Sequence, residues 1–167
     1  QLAVMTAMLA NGGKQVEPRL VDAVRDSHDR DWQPLPGRTR GQLAIAPAHL
    51  EVVRAGMLDV MSPGGTAARS AAGAPYTIAG KTGTAQVVGI RQGARYDASK
   101  LALKHRDHAL FIAYAPADNP TIAVAVLVEN GGSGSGTAAP VARAVFDYYL
   151  TGKRPPEPKL EAGNGTD

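Results

Sequence analysis

The chain has 167 residues, 44% of them apolar, which suffices for about one domain with a core of its own. Its 18 basic and 15 acidic residues leave a formal charge of +3, and the basic ones are scattered rather than striped among aromatics, so no nucleic-acid partner is expected. With no cysteine, disulfides, thiolate metal sites and cysteine nucleophiles are excluded, and no apolar run approaches the roughly 20 residues of a membrane helix.

Gln1–Ala10 reads as an apolar helix with no cap ahead of it, ended by Asn11-Gly12-Gly13, residues suited to the left-handed region. Such an abrupt start is expected of the C-terminal part of a longer protein. The alternation in VEPRLVDAVRD, residues 16–26, predicts an edge strand, where Pro18 is tolerated. Residues 29–47, with Trp32 and three prolines, read as surface connection. Ala48–Met61 places Leu50, Val53, Met57, Val60 and Met61 on one helical face, and Ser62-Pro63-Gly64-Gly65 stops it.

The second half predicts a sheet. Residues 76–88, 109–115 and 121–129 are rich in Val, Ile, Thr and aromatics, and Pro116-Ala117-Asp118-Asn119-Pro120 is short enough to join the last two as a hairpin. A flexible glycine-serine run, residues 131–136, then leads to a helix beginning at Thr137 or Ala138, with Pro140 in its first turn. Val141, Val145, Tyr148 and Tyr149 form the stripe expected to pack on the sheet. From Lys153 the chain is proline-rich and then polar, which predicts a folded segment 1–152 and a disordered tail 153–167. The fold class is α+β: an antiparallel sheet with the final helix across one face.

Within that sheet, Gly80-Lys81-Thr82 matches the end of a phosphate-binding loop, but the earlier glycine that loop requires would fall at Pro75. The residues that follow, Gly83 to Val88, favour a strand over the helix a nucleotide loop needs. Lys81 therefore belongs to a strand. His105, Arg106, Asp107 and His108 mimic a metal or acid–base cluster, yet their better reading is local hydrogen bonding that orders the 89–106 connection and rims a cleft. His28 and His49 are solitary. Glu129-Asn130 ends a strand before a glycine turn, where Asn tolerates positive φ.

The strings QLAVMTAMLANGGK, IAGKTGTAQV, RDHALFIAYAP and TIAVAVLVENGG, in this order, resemble the C-terminal end of a class B penicillin-binding protein; GTAQVVG and RDHALFIAYAP point to the elongation-type members of Gram-negative bacteria. The resemblance covers nearly all of the chain up to Gly152. It implies the C-terminal portion of the fold shared by penicillin-binding proteins and serine β-lactamases, with Lys81-Thr82-Gly83-Thr84 as the third active-site motif. Lys81, with the hydroxyls of Thr82 and Thr84, would receive the terminal carboxylate of a peptidoglycan stem peptide or of a β-lactam. Gly83 would leave room for substrate along the strand, and the Thr84 N–H would supply half of an oxyanion hole. Gln86 lies either at the cleft's end or in solvent.

The family's first two motifs are absent from this sequence. No serine of Ser27, Ser62, Ser70, Ser99, Ser133 and Ser135 has a lysine three residues on, and Ser27-His28-Asp29 only imitates Ser-x-Asn. Both motifs are expected upstream of Gln1, and the chain alone is expected to be inactive. The resemblance implies no metal cofactor, an inner-membrane anchor outside this sequence, a periplasmic site of action and a glycan-polymerising membrane protein as partner. Lacking the family's central helices, the chain is expected to associate with a second chain, to oligomerise, or to occur as a nicked piece of an intact enzyme. Two readings compete with the transpeptidase: a serine β-lactamase or penicillin-sensing receptor, and a non-catalytic module that holds a peptide carboxylate.

Overall fold

The computed structural model describes residues 1–28, 30–89, 97 and 100–156. Helix α1, Leu2–Ala10, ends at Asn11, after which Gly12 and Gly13 take φ of 81° and 93°. The segment expected as one edge strand is instead two short strands, β1 (Lys14–Val16) and β2 (Ala23–Val24). Their partners lie in the stretch expected as plain connection: β3 (Gln33–Pro34) pairs with β2, and β4 (Thr39–Gln42) pairs with β1, both antiparallel. Strands of two to four residues show too little alternation to be read in advance. The result is a small two-storey ribbon arm that leans on α1 through β1.

Helix α2, Pro47–Met61, starts one residue earlier than expected, with Pro47 in its first turn where a missing N–H is harmless. It buries Leu50, Met57 and Met61, whereas Val53 stays 42% exposed. After the one-turn helix α3, Ala68–Ala71, comes the main sheet, ordered β5 (Ala79–Ala85), β6 (His108–Ala115), β7 (Ile122–Val128), all antiparallel. The expected hairpin joins β6 to β7, and Asn130 beyond β7 has φ of 54°.

Strand β6 is covered on both faces. Ala109, Phe111, Ala113 and Ala115 point to one side, against Ala139, Ala142 and Phe146 of helix α4 (Ala139–Thr151). Tyr114, with Ile112 beside it, points to the other, against Ala10, Leu9 and Met57 of α1 and α2. The face that α4 turns to the sheet differs from the expected stripe: Val141, Val145, Tyr148 and Tyr149 are 41–59% exposed. Both stripes have helical spacing, but the alanines at 139 and 142 let the helix axis sit close to a sheet face that is itself alanine-rich, leaving Phe146 to fill the remaining gap. The glycine-serine run is likewise a structured turn: Gly134–Ala138 forms a wide π-type turn with Gly134 buried. Of the tail expected to be disordered, residues 157–167 lie outside the described set.

A buried-edge network ties α4 to the chain entering β5. Tyr76 Oη donates to Asp147 Oδ1 at 2.6 Å, Arg143 Nε donates to the same oxygen at 2.9 Å, and Arg143 Nη1 donates to the carbonyls of Ser70 and Ala72. Burial, and then the bond to Asp147, push the Tyr76 hydroxyl up to about 12. For Asp147 burial works upward, but the bonds from Tyr76 and Arg143 and the guanidinium charge outweigh it, and the carboxyl ends below its ordinary 3.8. A lowered folded-state value means a contribution that is present above pH 3.8 and lost as pH falls through the lower value. Stability measured by denaturant titration should therefore decline on acidification below about pH 4, and Asp147→Asn should be less stable at neutral pH yet lose less in acid. Equal acid sensitivity in both proteins would disprove the assignment.

Candidate active site

Among the described residues β5 is an edge strand, bonded to β6 on one side only. Alternate backbone N–H and C=O groups along its other side are consequently free to pair with an extended ligand. The register sets Lys81 opposite Ile112 and Gly83 opposite Leu110, on the sheet face that carries α1 and α2. Thr82 lies opposite Phe111 and Thr84 opposite Ala109, on the face that carries α4. The lysine and the two threonines thus leave the strand on opposite sides, flanking its free edge.

Lys81 is exposed, and its Nζ donates to the Thr82 carbonyl at 2.8 Å rather than to a threonine hydroxyl. One weak carbonyl contact leaves two of the ammonium's three donors for an anion. Thr84 is exposed and Thr82 half-buried. Two glycines bring the strand close to its surroundings: a Cβ on Gly80 would stand 2.6 Å from the Phe111 ring and 2.9 Å from the Ile112 carbonyl, and one on Gly83 would stand 3.2 Å from Leu110 Cβ. Gln86 lies just beyond the strand, exposed, with Nε2 donating to the Val88 carbonyl at 2.7 Å.

The polar cluster before β6 does structural work. His108 Nδ1 accepts from the Asn130 N–H at 2.9 Å, Asn130 Nδ2 donates to the Arg106 carbonyl, and the Gly132 N–H donates to the Asp107 carbonyl. Asp107, 8% exposed, accepts from the Val87 N–H at 3.4 Å through Oδ1. These bonds fasten the end of β5, the start of β6 and the turn after β7 to one another. Of the 89–106 connection, residues 90–96, 98 and 99 lie outside the described set. Among the described residues no grouping of His, Asp or Glu suits a metal ion, and no helix is long and apolar enough to cross a membrane. The turn at residues 131–137, which sequence reasoning took for a linker, packs directly on β5 and β6. Glycine and serine look alike in a packed turn and in a tether, so composition carried no signal for it.

A free-edged strand bearing Lys-Thr-Gly-Thr, backed by a C-terminal helix, defines a class of acyl-transfer domain, and the chain belongs to it: the family described as penicillin binding protein transpeptidase domain matches residues 1–147. Among its relatives is the peptidoglycan D,D-transpeptidase MrdA of Haemophilus influenzae, 39% identical over 159 residues, 93% of this chain and 24% of that protein. Of solved structures, Pseudomonas aeruginosa PBP2 in complex with WCK 5153 is 41% identical with a TM-score of 0.62, covering 88% of this chain and 29% of that one. PBP2 of Helicobacter pylori, in complex with MreC, is 27% identical with a TM-score of 0.61, covering 90% and 24% respectively. The chain spans about a quarter of the length of the curated relatives it matches.

Proposed function

We propose that this chain is the Lys-Thr-Gly wall of a peptidoglycan D,D-transpeptidase of the elongation type, which cross-links stem peptides and is acylated by β-lactams. The observation that carries the reading is the exposed ammonium of Lys81 beside the free edge of β5, with Thr82 and Thr84 on the same strand. In the reaction a serine attacks the penultimate carbonyl of a D-alanyl-D-alanine stem, D-alanine leaves with the proton that the serine gives up, and an amine of a neighbouring stem takes the acyl group. A terminal carboxylate lying along the free edge is held between Lys81 on one side and Thr82 and Thr84 on the other by charge-assisted hydrogen bonds. The Thr84 N–H receives negative charge as it develops on the carbonyl oxygen. Gly83, without a side chain, leaves room for the peptide to lie along the strand. Gln86, held by the Val88 carbonyl, marks the far end of that track.

The Ser-x-x-Lys and Ser-x-Asn motifs that complete the site come from residues outside this sequence, which also supply the anchor to the inner membrane and face the periplasm. No metal takes part in our reading. A glycan-polymerising membrane protein is the proposed partner, in keeping with the PBP2–MreC complex of H. pylori, where a relative assembles with another protein. The exposed apolar side of α4, Val141 to Tyr149, is the surface we assign to the remainder of the protein.

A fluorescent penicillin tests the reading. The whole protein containing this chain should give a labelled band on denaturing electrophoresis, and the 167-residue chain alone should give none. An unlabelled whole protein would refute the function. Slow release of the bound penicillin separates a transpeptidase from a β-lactamase, which would shed it within seconds.

A further inference from the structure

The turn after β7 packs on β5 beside the proposed oxyanion donor. Gly134 is buried, and a Cβ built on it would stand 2.5 Å from the Leu110 carbonyl oxygen, 2.7 Å from the Gly83 carbonyl oxygen and 3.0 Å from the Gly83 nitrogen. No side chain fits there, because all three atoms are backbone. The Gly83 carbonyl belongs to the same planar peptide group as the Thr84 N–H. Whatever fixes one end of that plane fixes the direction of the other.

The turn is built to hold still. Thr137 Oγ1 donates to the Gly131 carbonyl at 2.8 Å, the Thr137 N–H to the Ser133 carbonyl at 2.9 Å, and the Gly136 N–H to Ser133 Oγ at 3.2 Å. Its base is fastened by the Gly132 N–H to the Asp107 carbonyl at 2.8 Å, and by the Asn130 N–H to His108. Resting on the reading of β5 as a transpeptidase strand, we propose that Gly134 is a positioning residue for catalysis: its backbone, pressed on the Gly83–Thr84 peptide, sets the plane that aims the Thr84 N–H at the developing oxyanion. Such aim matters because a donor acts at full strength only within a narrow range of distance and angle, and removing one outright costs roughly a hundredfold or more in rate.

The test uses the whole transpeptidase and a thioester analogue of the stem peptide, so that kcat and KM are read separately. Gly134→Ala, which must push the Gly83–Thr84 peptide aside, is expected to lower kcat at least tenfold while KM stays within threefold. Gly136→Ala, whose added carbon meets only Ser133 atoms at 3.5 Å, is expected to keep the wild-type kcat. A folded Gly134→Ala enzyme with normal kcat overturns the inference, as does a parallel rise of KM in proportion to the fall of kcat. Should Gly134→Ala not fold, Thr137→Val loosens the turn without adding bulk. It is expected to lower kcat severalfold at constant KM, and an unchanged kcat overturns the inference equally. Absence of any penicillin adduct on the wild-type enzyme would instead remove the transpeptidase reading itself, so the two failures are distinguishable.

Discussion

Lys81→Ala in the whole protein should lower the second-order rate constant for penicillin acylation by roughly a hundredfold, with little change in thermal stability. The ammonium is exposed and makes a single bond, to its neighbour's carbonyl, so the fold does not depend on it. What is lost is a charge-assisted hydrogen bond to the ligand carboxylate, worth about 3 kcal/mol where water is excluded, which corresponds to a factor of roughly a hundred. Lys81→Arg keeps the charge but presents it as a planar fork, and should recover only part of the loss. Stopped-flow acylation kinetics would check both. A rate constant within threefold of wild type for Lys81→Ala would remove the lysine from the site.

The second large effect concerns stability. Phe146→Ala should destabilise the protein by about 3–5 kcal/mol, because the ring is 0% exposed and the sheet face it packs on is mostly alanine, with Ala109, Ala113 and Ala115 too short to fill the void. Phe146→Leu, which restores most of the volume, should cost about 1 kcal/mol, and Val52→Ala, at a position 73% exposed, should change stability by less than about 0.5 kcal/mol. Denaturant midpoints of the three variants give the ranking. If the first lay close to the third, α4 would not be packed as described.

The contrast between Phe146 and Val141 also explains what could be read from the sequence. The strands β6 and β7 were legible as runs rich in β-branched, aromatic and other apolar residues, and β5 only through the wider stretch 76–88, of which the strand itself keeps Ala79–Ala85; the Pro-Ala-Asp-Asn-Pro break between β6 and β7 left one plausible connection. The Lys-Thr-Gly-Thr motif stood out as a cation among hydroxyls on a strand, and the role proposed for it came from the family resemblance rather than from the residues alone. Helix α4 was legible as a helix but not in its rotation. Periodicity alone gives two candidate faces, and choosing between them depends on how near a helix can approach a particular sheet, a property of Ala109 and Ala113 as much as of α4. The pleat, similarly, puts Lys81 across the strand from the threonines expected beside it. The ribbon arm was not legible at all, because two-residue strands owe their existence to their partners.

That arm has a wider implication. Residues 14–42 contribute none of the side chains that fill either core cluster. Evolution or an engineer can lengthen, shorten or recolour the arm without repacking the interior that supports β5. Differences among relatives are thus free to accumulate in the arm without disturbing the strand that carries Lys81.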